Sequence, residues 1–106
     1  LAWLFLIVAG LLETVWAYSM KLSDGFTRPV ASIVTLVAMI FSFGLLALAM
    51  KALPLGTAYM IWTGIGAVGA FVVGIFLLGE AVTPLRVAAA MLIVAGIALM
   101  KLASPN

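Results

Sequence analysis

Four apolar runs, at about residues 2–20, 30–50, 55–78 and 85–102, take up most of this 106-residue sequence. A helix needs about 20 apolar residues to cross a bilayer. The first three runs reach that length directly. The fourth has an uncharged core from Val87 to Met100, and spans only if Arg86 and Lys101 snorkel toward opposite interfaces. Runs of this kind leave few folds open. In hydrocarbon every backbone N–H and C=O must be paired within the protein, which admits helices or closed barrels. No segment alternates polar and apolar residues, so barrel strands are excluded. The expectation is an all-α integral membrane protein. It forms a single domain over residues 1–106 with four transmembrane helices.

Short polar segments mark the helix ends. Lys21 to Pro29 is the first loop, with Asp24-Gly25 as a turn and Pro29 suited to the first turn of the second helix. Lys51-Ala52-Leu53-Pro54 is a short connection. Gly79 to Pro84 is the third loop, with Thr83-Pro84 as cap and first-turn proline. Ser104-Pro105-Asn106 is a tail. The first run lacks a basic leading region and carries an acidic residue, so it is expected to be a retained helix and not a cleaved signal.

The chain is 68% hydrophobic and has eight charged residues, five basic and three acidic, seven of them between or at the edges of the runs. The net charge of +2 is thus a property of loops. It forms no basic patch, and nucleic acid is not an expected partner. The sequence has no Cys and no His. It therefore offers no thiolate site and no imidazole, and neither a metal nor a cofactor is expected. Nothing resembles a nucleophile–base pair or a phosphate loop, so an enzyme is not expected.

The eighth charge is Glu13, inside the first run. It lies roughly 18 Å from Leu1 and roughly 10 Å from Met20 at helical rise, deep in the hydrocarbon. A carboxyl there costs a few kcal/mol or more, and such groups mark ion or proton sites by default. The alternative is a neutral carboxyl hydrogen-bonded as a packing device. Desolvation disfavours the bare anion, so the group holds a proton or a cation but not both. Such exclusion can couple a proton flow to a cation flow.

Gly10 and Ala17 share the Glu13 face and leave room on it. Trp16 lies one turn along, and its indole can donate to the carboxylate. Trp16 also reads as an aromatic-belt residue, a reading accepted outright for Trp3. On the third helix Tyr59 and Trp62 share a face and can box a cation, or Tyr59 can anchor the interface. Ser42 sits mid-membrane on the second helix. It either bonds the carbonyl four residues back or orients the carboxylate. Gly64, Gly66 and Gly69 mean close packing or a hinge. Lys101 reads as a snorkelling residue, and Glu80 with Arg86 as a solvated loop pair.

Four short helices with small loops cannot enclose a pathway alone. Gly66, Ala70 and Gly74 repeat every fourth residue, and Ala89 and Gly96 lie two turns apart on one face of the fourth helix. Small-residue spacing of this kind lets helix backbones approach, within a chain or between chains. Lys51 and Lys101 fall on the side of the termini, and Lys21, Arg28 and Arg86 on the other. That bias of one residue is too small to fix orientation, so the chain is expected to insert both ways.

Taken together, these segments resemble the small multidrug resistance family over the whole chain. The likeness rests on Gly10-Leu11-Leu12-Glu13, on Asp24-Gly25-Phe26-Thr27-Arg28, and above all on the stretch from Pro54 to Ala67, which includes Tyr59-Met60-Ile61-Trp62-Thr63-Gly64-Ile65-Gly66. The resemblance implies a proton-coupled antiporter in the cell inner membrane, working as an antiparallel, dual-topology homodimer whose two Glu13 carboxyls share one site. Trp16 beside the glutamate, the Trp62-to-Gly69 segment and Lys101 make the chain similar to the guanidinium-exporting branch. Quaternary ammonium exporters typically carry a small residue at the Trp16 position. By this resemblance Glu13 binds proton and substrate, Trp16, Ser42, Tyr59 and Trp62 line the site, Gly64 and Gly66 form a helix bend, and Ala89 and Gly96 serve dimer packing. The implied partners are a guanidinium-type cation, protons, the lipid bilayer and a second copy of the chain. Departures from the branch, such as Tyr18 and Phe43, are expected at lipid-facing positions.

The physics favours the same branch. Guanidinium is planar, with donors in a fork that matches a carboxylate. Two further readings compete: an exporter of quaternary ammonium compounds, and a structural or proton-binding subunit of a membrane assembly. Dual insertion is tested by a reporter fused to the C-terminus. Signal from both sides of the membrane is expected, and signal from one side alone would refute it.

Overall fold

The computed structural model describes residues 1–104, so Pro105 and Asn106 of the expected tail lie outside the described residues. Four helices account for nearly all of the chain: α1 Ala2–Leu22, α2 Pro29–Ala49, α3 Leu55–Leu78 and α4 Pro84–Ala103. All four are long and apolar enough to cross a membrane. No strand occurs among the described residues.

The helix ends follow from local chemistry. Pro29 and Pro84 occupy first-turn positions, where a missing N–H costs nothing. The Thr83 hydroxyl accepts from the Arg86 N–H at 3.2 Å, the expected cap of α4. Helix α3 stops at Gly79, whose φ of 69° is left-handed, and the Glu80 N–H then donates to the Gly74 carbonyl at 3.0 Å. Helix α1 runs two residues past Met20, through Lys21 and Leu22. Ser23 ends it: its hydroxyl donates to the Met20 carbonyl at 2.7 Å and accepts from the Phe26 N–H at 3.0 Å.

In section the helices lie in the order α2, α1, α3, α4, with α2 and α3 meeting lightly. The molecule measures 43 × 34 × 16 Å. A helix with its side chains is about 10–12 Å across, so the chain is a slab little more than one helix thick. Helices α1 and α3 are the inner elements. Thr35, Ala38, Ser42, Leu46 and Ala49 of α2 are the buried residues of that helix, at the three- and four-residue spacing of one face. The opposite side of α2 exposes Ile33, Val37, Ile40 and Phe41, as lipid-facing residues do. Helix α4 packs along α3 and has no buried residue at all.

The α1–α3 seam is built by glycines opposite larger side chains. A Cβ at Gly10 would meet Ile65 at 2.7 Å. A Cβ at Gly66 would collide with the Glu13 carboxyl, and one at Gly69 with the Thr14 hydroxyl. Each helix thus supplies a gap that the other fills, the close approach expected of small-residue faces. Gly64 makes the same kind of seat on the other side of α3, where its Cβ would meet Ile97 at 2.9 Å. Helix α3 is continuous through Gly64 and Gly66, and both are places where a neighbour lies against the backbone.

Gly69→Val inserts atoms where Thr14 already sits and is expected to cost about 1–3 kcal/mol, as overpacking does. Gly44 has nothing within 4 Å of a Cβ, so Gly44→Ala should be neutral within about 0.5 kcal/mol. Unfolding midpoints in detergent micelles check the pair, and equal midpoints would contradict the packing of the seam.

Candidate functional site

Glu13 and Trp16 project from α1 toward the surface that α3 and α2 complete. They are three residues apart and share a face. On α3, Trp62 and Gly66 are four apart and share a face in turn. The Glu13 carboxyl rests on Gly66, which has no side chain to displace it. Its Oε1 is buried and meets no hydrogen-bond partner among the described residues. The indole Nε1 of Trp16 is likewise buried and unpaired. The hydrogen bond expected between these two residues is therefore not formed within the protomer.

Ser42 has a different part from either sequence expectation. It is fully buried, and its hydroxyl donates across the helix interface to the Ala9 carbonyl at 2.7 Å. It does not bond back along its own helix. Its oxygen accepts from the Trp62 indole N–H at 3.1 Å. One hydroxyl thus ties α2 to both α1 and α3, and fixes the Trp62 ring that carries the donor. Trp62 is 6% exposed, consistent with a ring held in place and not an interfacial anchor.

Aromatic contacts carry the arrangement outward. Tyr59 and Trp62 lie 5.5 Å apart between ring centroids. Phe43 stands between the two indoles, 5.8 Å from Trp62 and 6.1 Å from Trp16, edge-on to the latter. Such separations are ordinary for interacting rings. Tyr59 is 52% exposed and Phe43 46%, so the row of rings opens onto one surface of the slab. Four of the expected site residues are therefore gathered in one cluster, with Glu13 a turn from Trp16 at its edge.

Two residues expected at lipid-facing positions also make contacts within the chain. Phe43 is an aromatic link between Trp16 and Trp62. Its neighbour Ser42 is drawn fully into the interface, and that brings Phe43 onto the rings. Tyr18 is half-buried and lines a cavity with Lys21 and Arg86. It follows Thr14 by one turn, and Thr14 sits on Gly69, so Tyr18 is turned toward α3. Nothing in the apolar periodicity of α2 marks Phe43, and the seat of Glu13 on Gly66 is a tertiary contact that no local pattern specifies.

The remaining residues lie elsewhere. Ala89 and Gly96 are exposed on α4, and nothing lies within 4 Å of a Cβ at Gly96. Lys101 extends its ammonium over the Trp3 ring, 4.3 Å from the centroid, joining the ends of α4 and α1. Glu80 and Arg86 approach to 3.7 Å with side chains about two-fifths exposed, the expected loop pair. No group of three or more metal-ligating acidic side chains occurs among the described residues.

Chemically, the cluster holds a buried carboxylate acceptor and a buried, unpaired indole donor behind aromatic faces that open onto one surface, inside a membrane span. That combination suits a small cation with hydrogen-bond donors.

Comparison with known proteins agrees over the whole chain. The description "Small Multidrug Resistance protein" matches residues 1–103. The chain is 55% identical over 104 residues to a protein of Escherichia coli strain K12 named "Guanidinium exporter", covering 98% of this chain and 99% of that one. A "Guanidinium exporter" of Salmonella typhimurium strain LT2 is 55% identical, and one of Citrobacter freundii 54% identical, with the same coverage.

Replacing Ser42 tests how the cluster is held. Ser42→Ala leaves the buried Trp62 N–H and Ala9 carbonyl without that partner and should cost about 1–3 kcal/mol. Thr35 bonds only the Ala31 carbonyl of its own helix, at 2.7 Å, so Thr35→Ala should cost less. Unfolding in micelles, followed by tryptophan fluorescence, checks the order, and the reverse order would contradict it.

Proposed function

The chain belongs to the small multidrug resistance family, a multi-pass membrane protein, and from that premise we propose that it is a proton-coupled exporter of guanidinium-type cations. The observation that carries this reading is the Glu13 carboxyl, buried at the seat of Gly66 without a hydrogen-bond partner and beside an unpaired Trp16 indole. The names of relatives 54–55% identical over nearly the full length point to the same cation.

The mechanism follows from what one carboxyl can hold. Deprotonated, Glu13 accepts two parallel N–H bonds from a planar guanidinium. Protonated, it has no charge to offer and one donor of its own. Cation and proton therefore exclude each other at the same oxygen atoms. The Trp16 N–H, unspent in this structure, is available to stabilise the anionic form, which is the form the cation needs. Trp62 is fixed by Ser42, so with Tyr59 it supplies an aromatic wall of set position. Cation–π attraction adds to the carboxylate in a site with little water. Rigid walls select a small flat cation over a bulky one.

A slab 16 Å thick cannot surround that cation by itself. The working unit is an antiparallel homodimer, with two Glu13 carboxyls facing each other and the aromatic rows closing around them. The exposed face of α4, with Ala89 and Gly96, packs the two copies. The protomers are inverted, so exchange of their conformations opens the same site to the opposite side, the logic of inverted-repeat transporters.

Transport by the purified protein in liposomes on a solid-supported membrane tests the reading. Guanidinium should give an electrogenic current that Glu13→Gln abolishes, and a small quaternary ammonium a weaker one. A current with the quaternary ammonium alone would move the chain to the other branch of the family. No current with either cation, from folded protein, would refute transport.

A further inference from the structure

Two carboxyls rest on the same face of α3. Gly66, Ala70 and Gly74 follow one another at four-residue spacing and so line one stripe of the helix. Glu13 sits on Gly66 at one end of that stripe, and Glu80 sits on Gly74 at the other, roughly 12 Å away at helical rise. Between them lies a cavity of about 330 Å³. Ala70 and Gly74 line it from α3, with Tyr18 and Lys21 on the α1 side, Phe71 and Arg86 on the α4 side, and Glu80 at the helix end. Ala17 also lines it, and follows Glu13 by one turn, as Ala70 follows Gly66. The cavity therefore starts one helical turn beyond the seat of Glu13. Its lining includes neither Ala89 nor Gly96, the α4 residues that pack the two copies in the proposed dimer.

The mouth of this cavity already holds a guanidinium, and it belongs to the chain. The Arg86 head lies over the Phe71 ring, 5.7 Å from its centroid, and its Nη2 is 3.7 Å from Glu80 Oε1. A planar cation between an aromatic face and a carboxylate is the chemistry that Glu13 and the indoles offer deeper in the membrane. The hold on Arg86 is loose. A separation of 3.7 Å is too long for a hydrogen bond, and both side chains are about two-fifths exposed. The Glu80 carboxyl accepts no hydrogen bond among the described residues. Its backbone is fixed, because the Glu80 N–H donates to the Gly74 carbonyl at 3.0 Å. The acceptor thus stays in place, while Arg86 can leave it on a long side chain.

Resting on the reading of the chain as a guanidinium exporter, we propose that Glu80 and Phe71 form an outer binding station for guanidinium, occupied by the Arg86 head until substrate replaces it, and that the trough over Ala70 joins this station to Glu13. A free guanidinium presents the same planar fork as Arg86 and exchanges with it on the carboxylate. A water takes about 30 Å³, so a cation of four heavy atoms fits in the cavity with water around it. A floor of glycine and alanine leaves nothing for the ion to climb over between the two carboxyls. Lys21 faces the same cleft, and its like charge opposes a long stay. The station therefore passes the ion on and does not trap it. The return of Arg86 to Glu80 closes the mouth behind it.

NMR of the purified protein in micelles tests the station. The chain has two arginines, Arg28 and Arg86, so nitrogen-15 labelling of arginine gives two side-chain Nε–H signals. Guanidinium chloride should shift the Arg86 signal saturably, and sodium chloride at equal ionic strength should not. Arg28 should stay in place as the internal control. Glu13→Gln should keep the shift, because it removes only the inner carboxyl, and Glu80→Gln should abolish it. An Arg86 response equal for the two salts would overturn the station, as would one that survives Glu80→Gln or is lost in Glu13→Gln. Should Glu80→Gln fail to elute as folded protein in size exclusion, the two salts and the Glu13→Gln arm still decide. In liposomes Glu80→Gln should raise the KM for guanidinium about two- to fivefold, the worth of a partly exposed ion pair, with the current at saturation kept. Arg86→Lys should lower the KM, since it keeps the charge and loses the competing head. A merely structural ion pair would move KM the same way in both variants, and that result would overturn the route. A wild type that shows the Arg86 shift but carries no current would refute export and leave the station standing.

Discussion

A carboxyl held in hydrocarbon with no partner among the described residues is the constraint on which the rest of the structure turns. Glu13 Oε1 is buried and unpaired, on a helix that crosses the membrane. Leaving such a group unsatisfied costs a few kcal/mol. The described residues around it do not relieve that cost. Gly66 gives it a seat without a side chain, and Gly10 and Gly69 let α1 and α3 approach closely enough to hold it there. Trp16 stands beside it with a donor equally unspent. On the proposed reading, a proton or a cation with N–H groups supplies what the chain lacks there.

The same incompleteness appears at larger scale. The buried contacts of this chain run along α1 and its two neighbours, while α4 buries nothing. Tyr59 at one end of the aromatic row and Phe43 within it are about half exposed. In a soluble protein such surfaces would be a liability, and in a membrane lipid covers them at little cost. A slab of this kind suits a bilayer, and on the proposed reading it carries half a site. Its rigidity is local: Ser42 pins Trp62 to α2 and to the Ala9 carbonyl of α1 with two hydrogen bonds. In the proposed cycle the two copies exchange conformations, while Ser42 keeps the Trp62 ring fixed within each.

Much of this was legible in the sequence, for reasons that differ by feature. The four apolar runs determine the helices, because hydrocarbon leaves the backbone no other way to pair. Thr83-Pro84 and the first-turn Pro29 mark starts by local chemistry alone. Glu13 stood out because an acid in such a run needs a reason. Tertiary contacts were not legible. Ser42 was weighed against its own helix, but its acceptor is Ala9, 33 residues away. Phe43 and Tyr18 pattern as lipid-facing residues, and only the placed helices show Phe43 touching both indoles and Tyr18 lining a cavity. Gly64 and Gly66 left hinge and packing equally open, since glycine serves both. The seats they provide for Ile97 and Glu13 become visible only once the helices are placed.

The central claim is that proton and cation compete for one carboxyl. Proton release on adding guanidinium to the detergent-solubilised protein tests it most directly, in weak buffer over a pH series from acid to alkaline. Binding is followed in parallel by calorimetry. Release that accompanies binding in the wild type and disappears in Glu13→Gln is the predicted result. Guanidinium binding with no proton released anywhere in the series, or with equal release from Glu13→Gln, would contradict the claim.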